Sequence, residues 1–69
     1  MTDHIYKLAE IVGTSHEGSD QAIQAAIARA SKSIRNIRWF EVIATRGFVD
    51  PAGITQYQVT LKVGFTLEG

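Results

Sequence analysis

Every second residue between Gln56 and Leu67 is apolar, and this alternation is the strongest structural signal in the chain. The apolar positions are Tyr57, Val59, Leu61, Val63, Phe65 and Leu67. A period of two is typical of a β-strand with one face on a core and the other on water or a ligand. The pattern therefore predicts a strand whose odd-numbered residues face inward and whose even-numbered residues face outward.

A hairpin is predicted immediately before this strand. Residues from 38 or 39 to about 49 have strand character, and Asp50-Pro51-Ala52-Gly53 follows them. Asp, Pro and Gly are the residues that a type I turn prefers at its first, second and fourth positions. If Val49 pairs with Ile54, the register follows by counting. The expected pairs are Trp39 with Gly64, Glu41 with Lys62, Ile43 with Thr60, and Thr45 with Gln58.

One helix is predicted, over residues 19–36. Its apolar residues recur at steps of three and four, as they do on one face of an α-helix, and Ser15 or Ser19 is available as its N-cap. The apolar stripe consists of Ile23, Ile27, Ala30, Ile34 and Ile37. Before the helix, residues 5–12 are predicted as a first strand and residues 13–18 as a loop.

These elements define an α+β fold in the order β-α-β-β. The helix is expected against one face of a three-stranded antiparallel sheet, in which the first strand pairs with the last. The whole chain, residues 1–69, is expected to form one domain. The first strand is apolar on both faces, which is typical of a strand covered on both sides. In so short a chain, the second cover is expected from another subunit.

Composition argues against several classes of protein. The 69 residues have a net charge of zero, and nucleic-acid and membrane-surface binding both depend on excess positive charge. There is no cysteine, and neither histidine has a metal-ligand spacing, so no metal is expected. No transmembrane run or signal peptide is apparent, which predicts a cytoplasmic protein. On folding, a domain this small buries only about 60% of the surface that its unfolded chain exposes. Without disulfides or a metal, oligomerisation is the remaining source of additional stability.

Trp39 is the only tryptophan, and the predicted register places its side chain on the outward face. Such apolar surface is expected to be covered by another subunit or by a flat aromatic ligand, and the residues alone leave both open. Gln58, whose amide can donate and accept in one plane, lies on the same face about 20 Å away. One small ligand that touches both would need two subunits. Arg46 falls on the opposite face unless a bulge at Gly47 turns it outward.

Four short segments, in this order and spacing, resemble the dodecin family over essentially the whole chain. They are Val12-Gly13-Thr14-Ser15, Arg38-Trp39-Phe40-Glu41-Val42, Tyr57-Gln58-Val59 and Lys62-Val63-Gly64-Phe65. The resemblance implies a flavin-binding protein that assembles into a hollow homododecamer, in which each subunit wraps its three strands around one helix. It also implies that the flavins lie in pairs at two-fold axes.

The resemblance further implies which residues bind ligands. Trp39 matches the tryptophan on which the isoalloxazine ring stacks, and Gln58 matches the glutamine that bonds the polar edge of that ring. Arg46 matches an arginine associated with FMN binding, although FMN is not distinguished from FAD, riboflavin or lumichrome. Bacterial dodecins also bind coenzyme A, for which the expected contacts are Tyr6, Arg29 and Lys32.

The function that the resemblance implies is storage and sequestration of flavin, with quenching of its photochemistry by the indole. The sequence has no nucleophile–base pair, carboxylate pair or glycine-rich phosphate loop, so an enzyme is not expected. The alternative is a structural or interaction module in which Trp39 anchors a subunit interface without flavin. A third hypothesis is an enzyme that uses the flavin as a redox group. Two positions depart from the family pattern, because Arg38 stands where several relatives carry Asp and Thr66 stands where some carry Arg.

Overall fold

The structure, a computed structural model, describes residues 3–67, which form one helix and three strands. In chain order these are β1 (Tyr6–Ser15), α1 (Ser19–Ala30), β2 (Ile37–Asp50) and β3 (Gly53–Thr66). The predicted order β-α-β-β is confirmed. β1 extends three residues further than predicted, because Gly13, Thr14 and Ser15 continue to pair with β3.

The strands form one antiparallel sheet in the order β1-β3-β2, so the first strand pairs with the last as predicted. The alternating strand β3 lies in the centre. Its residues Val59, Leu61 and Val63 are fully buried in a core shared with α1, on the face called here the inner face. The residues between them point to the opposite, outer face, which α1 does not cover.

The side of α1 that packs on the sheet consists of alanines. Ala22, Ala26 and Ala30 are buried at intervals of about one turn. The isoleucines of the predicted stripe are only partly buried beside this core; they are Ile23, Ile27, Ile34 and Ile37. Small side chains let the helix approach β1 closely. A Cβ atom at Gly13 would lie 2.8 Å from the Cβ of Ala26 and would clash with the Ala22 carbonyl, so the contact depends on glycine there.

The helix ends at Ala30, so the prediction that it continues to residue 36 is wrong. The turn that follows is tighter, because the N–H of Lys32 donates to the carbonyl of Arg29, three residues back, at 3.1 Å. The hydroxyl of Ser31 donates to the Ile27 carbonyl at 2.8 Å, and the N–H of Ser33 donates to the Ala30 carbonyl at 3.1 Å, three residues back. Asn36 then adopts a φ of 65°, a left-handed conformation that turns the chain into β2.

The helix start also differs from the prediction. Its N-cap is Gly18, which makes no side-chain cap, so neither Ser15 nor Ser19 has the predicted role. The Ser15 hydroxyl instead accepts a hydrogen bond from the N–H of Glu17 at 3.0 Å and orders the loop before the helix. Asp20 does lie in the first turn, where the helix dipole favours a negative charge.

The predicted hairpin between β2 and β3 is confirmed. The Asp50 carboxylate accepts a hydrogen bond from the N–H of Ala52 at 2.8 Å. Gly53, with a φ of 128°, has a backbone conformation that favours glycine. The predicted pairs Val49–Ile54, Glu41–Lys62 and Trp39–Gly64 are all present.

Three register shifts interrupt the hairpin, and two of them correct the predicted register. Pairing skips Arg38 and Ile43 in β2 and Thr55 in β3. The shifts at Ile43 and Thr55 cancel, so both ends of the hairpin keep the expected register while the segment between them moves by one residue. The predicted pairs Ile43–Thr60 and Thr45–Gln58 are therefore wrong. The hydroxyl of Thr55 donates to the Phe48 carbonyl at 3.2 Å across its bulge.

A large part of the apolar surface remains exposed in the single chain. The helix packs on β1 and β3, and the inner face of β2 is left open, so Phe40 and Val42 are 49% and 42% exposed. At the hairpin end, Val49 and Ile54 are more exposed still. In the part of the chain that the structure describes, no helix is long and apolar enough to cross a membrane.

Candidate ligand site on the outer face of the sheet

The outer face carries the expected flavin contacts Trp39, Gln58 and Arg46, arranged in rows across the three strands. One row contains Leu8, Gly64 and Trp39, in the order β1, β3, β2. A second row, nearer the hairpin turn, contains Thr14, Gln58 and Arg46. These are called here the tryptophan row and the glutamine row.

In the tryptophan row, the indole lies over Gly64. A Cβ atom built on Gly64 would lie 2.7 Å from Cδ2 of Trp39 and would overlap two further atoms of the same six-membered ring. Gly64 is accordingly buried although it is on the outer face, and Trp39 is 39% exposed. The missing side chain at Gly64 thus provides a shelf on which a flat ring can lie.

Tyr6 borders the indole. It lies on the outer face at the start of β1, opposite Thr66. The ring centroids of Tyr6 and Trp39 are 6.2 Å apart with an interplanar angle of 63°, an edge-to-face arrangement. The ring of His4 lies 6.3 Å from Tyr6 on a tilted plane. Tyr6, expected from the family resemblance as a coenzyme A contact, is therefore also a neighbour of the tryptophan.

In the glutamine row, Arg46 is directly opposite Gln58. The prediction that Arg46 faces inward unless Gly47 bulges is corrected, because the bulge lies at Ile43, three residues before Arg46, and Gly47 pairs regularly with Tyr57. Arg46 is exposed, and Gln58 is partly buried between its two neighbours. The row brings together a guanidinium group, a planar amide and the hydroxyl of Thr14, which are donors and acceptors suited to a polar or anionic ligand.

The two rows do not meet within one chain. Gly64 and Gln58 are six residues apart on β3, which is about 20 Å at the usual strand rise. A charged row lies between them, with Lys62 flanked by Glu10 on one side and Glu41 on the other. The predicted separation of Trp39 from Gln58 is thus confirmed.

Arg29 and Lys32, the other two expected coenzyme A contacts, lie on the opposite side of the sheet from Tyr6. Arg29 is in the last turn of α1, and Lys32 follows in the turn after it; both are exposed. Arg29 borders a groove between the helix and β1 that also contains Ile11 and Ser33. One chain therefore does not bring Tyr6, Arg29 and Lys32 onto one surface.

Thr14 is the site residue that the sequence analysis missed. The pattern placed it in a loop, and its partnership with Gln58 depends on the longer β1. His16, also in that region, bonds through Nδ1 to the Thr55 carbonyl at 2.8 Å and joins the β1–α1 loop to the hairpin.

Among residues 3–67, no group of three or more His, Asp or Glu side chains is placed to hold a metal ion.

The chain is a small α+β protein with a helix on one face of a three-stranded antiparallel sheet. The other face of the sheet is open and carries an aromatic row and a polar row. The family model described as Dodecin matches residues 5–68, and this chain belongs to the dodecin family. It is 56% identical over 64 residues to the dodecin of Thermus thermophilus, covering 93% of each chain. The solved dodecin of Streptomyces davaonensis superposes with a TM-score of 0.93 at 48% identity, covering 99% of this chain and 100% of that one.

A more distant relative is the protein of Mycobacterium tuberculosis named calcium dodecin. It is 38% identical over 63 residues, which cover 91% of this chain and 89% of that one. Calcium is part of the name of that protein and is not carried over to this chain.

Proposed function

We propose that this protein binds and stores flavin between subunits of a homododecamer and quenches flavin photochemistry. The isoalloxazine ring stacks on Trp39 of one subunit, and Gln58 of a neighbouring subunit bonds its polar edge. The observation that carries the proposal is the indole on its glycine shelf, on an uncovered sheet face, with the amide and guanidinium about 20 Å away. A site with both features therefore requires a second chain.

The outer face supports this arrangement physically. A partly exposed indole that lies over the sheet offers a large apolar surface to another flat ring, and stacking removes both surfaces from water. The glutamine row supplies fixed hydrogen-bonding groups, because Gln58 lies in the central strand and is held by pairing on both sides. Stacking from one chain and polar contacts from another are the two parts that a planar heterocycle requires.

The chemistry expected of such a site is binding without turnover. An indole in van der Waals contact with an excited flavin donates one electron to it, and return of that electron restores both rings unchanged. We therefore infer a storage protein and do not propose an enzyme. We also propose that it is located in the cytoplasm.

Coenzyme A is proposed as a second ligand at a separate site. Support comes from the family resemblance and from the exposed cations Arg29 and Lys32 after the helix. Since Tyr6 lies on the other side of the sheet, a ligand touching all three would contact more than one chain. Titration calorimetry with coenzyme A tests this second site, and the absence of any binding heat would contradict it.

The flavin proposal is tested by titrating FMN with the purified protein and following flavin fluorescence. The wild-type protein is expected to bind FMN with nearly complete quenching. Trp39→Ala should weaken binding roughly tenfold or more, because the stacking surface is lost, and should leave the residual bound flavin fluorescent.

Trp39→Phe is the matched control for the shape of the platform. It keeps a flat ring but a poorer electron donor, so FMN should still bind while quenching becomes less complete. Strong quenching that survives in Trp39→Ala would contradict stacking. A wild-type protein that assembles but stays colourless with FMN would favour the alternative, an interaction module in which Trp39 anchors an interface.

A further inference from the structure

The indole of Trp39 lies against the backbone of the neighbouring strand β3. Trp39 is in an edge strand with no described element above it, where a free indole would be largely exposed. Its exposed fraction is only 39%, because the ring lies over the backbone of Gly64. A side chain at Gly64 would occupy the space that the ring now fills.

Tyr6 limits the motion of that ring from the side. Its centroid is 6.2 Å from that of Trp39, and the interplanar angle of 63° directs one ring at the other in an edge-to-face contact. Such pairs are favourable because the positive edge of one ring meets the negative face of the other. Tyr6 is fixed in turn by the β1–β3 pairing, in which it lies opposite Thr66.

We propose that Tyr6 and Gly64 are positioning residues for Trp39, which together hold the indole in the orientation that a flat ligand stacks on. Gly64 supplies the shelf beneath the ring and Tyr6 the lateral contact. The effect on flavin affinity rests on the proposed function, whereas the effect on the indole itself does not. Holding the ring in advance spares the ligand the cost of ordering it, and affinity is raised accordingly.

The chain allows a direct test, since Trp39 is the only tryptophan and indole signals report it alone. The variants are Tyr6→Ala, which removes the ring, Tyr6→Phe, which keeps it, and Gly64→Ala, which fills the shelf. Near-ultraviolet circular dichroism and indole fluorescence anisotropy are measured without flavin or coenzyme A. FMN titrations follow on the same samples, and far-ultraviolet spectra and light scattering verify fold and assembly.

Without ligand, Tyr6→Ala and Gly64→Ala should lose the indole dichroism and lower its anisotropy, while Tyr6→Phe matches the wild type. With FMN, Tyr6→Ala should bind about three- to tenfold more weakly, and Tyr6→Phe should restore wild-type affinity. If Gly64→Ala fails to fold, the comparison of Tyr6→Ala with Tyr6→Phe still tests whether the Tyr6 ring positions Trp39.

Unchanged indole signals in Tyr6→Ala would overturn the proposal. So would equal losses in Tyr6→Ala and Tyr6→Phe, because the hydroxyl rather than the ring edge would then be responsible. If the indole signals change as expected but FMN binds to no variant and not to the wild type, the positioning role stands and the flavin proposal fails.

Discussion

At the residue scale, two glycines are required by what lies next to them rather than by their own backbone angles. Gly13 lies under the helix, where a Cβ would meet the Ala22 carbonyl and the Cβ of Ala26, and Gly64 lies under the indole. Gly13 thereby sets how closely α1 approaches β1. Gly64, in contrast, acts on the outer face and has no part in the contact with α1.

Replacement of Gly13 by Ala should destabilise the protein by about 1–3 kcal/mol, the usual range for overpacking a close contact. The added methyl must displace helix backbone, which cannot rotate away as a flexible side chain would. Thermal unfolding at fixed protein concentration measures the effect, since stability of an oligomer depends on concentration.

Gly47→Ala is the matched control for this change. A Cβ there would meet only the Gln56 carbonyl at 3.7 Å and a methyl of Ile54 at 3.9 Å, both ordinary contacts. Its unfolding temperature should stay close to that of the wild type. If both variants lost the same stability, the close contact between Gly13 and α1 would not explain the effect of Gly13→Ala.

At the element scale, the bulge at Ile43 decides which residue of β2 faces Gln58. Strict alternation along the strand would place Thr45 there, and the extra residue places Arg46 there instead. The element order, the hairpin, the tryptophan row and the separation of Trp39 from Gln58 were predictable, because each depends on local turn chemistry or on a period of two. The position of the bulge was not, since no residue type marks it.

The helix illustrates the same limit. Its apolar stripe was visible in the isoleucines, but the buried side is formed by Ala22, Ala26 and Ala30. Only small side chains fit on this side of the helix, because β1 approaches α1 closely at Gly13. After Ala30 two backbone N–H groups bond carbonyls three residues back instead of four, a change that apolar periodicity does not predict.

The placement of Arg46 beside Gln58 predicts selectivity for a flavin that carries a phosphate. Arg46→Ala should weaken binding of FMN roughly 10- to 100-fold, the usual effect of losing a charge-assisted hydrogen bond. Riboflavin, which has the same ring and no phosphate, should bind the variant and the wild type equally. Parallel titrations with both ligands test this, and equal losses for FMN and riboflavin would show that Arg46 contacts the ring or supports the fold.

At the scale of the whole molecule, a single chain leaves too much apolar surface in water to be the final state. The inner face of β2 and α1 form an open groove of about 540 Å³ lined mainly by Ile23, Ile27, Ala28 and Phe40. The hairpin end exposes Val49 by 74% as well. Surface of this kind on a small protein normally marks an interface.

The expected assembly is a homododecamer, with a mass of about 91 kDa for twelve chains of 7.6 kDa. Size-exclusion chromatography with light scattering measures it, with and without FMN. Phe40→Asp should lower the mass, since a charge in the groove would be buried without a partner. A wild-type mass near that of one chain would contradict both the assembly and the two-chain flavin site.

The bulge at Ile43 also makes the protein convenient to label. Val42 and Ala44 pair with consecutive residues of β3, so Ile43 can change without altering the alignment of Trp39 or Arg46 with that strand. The chain has no cysteine, and Ile43 is exposed. A cysteine introduced in its place would give a unique thiol between the two rows, where an attached dye reports the approach of a neighbouring subunit.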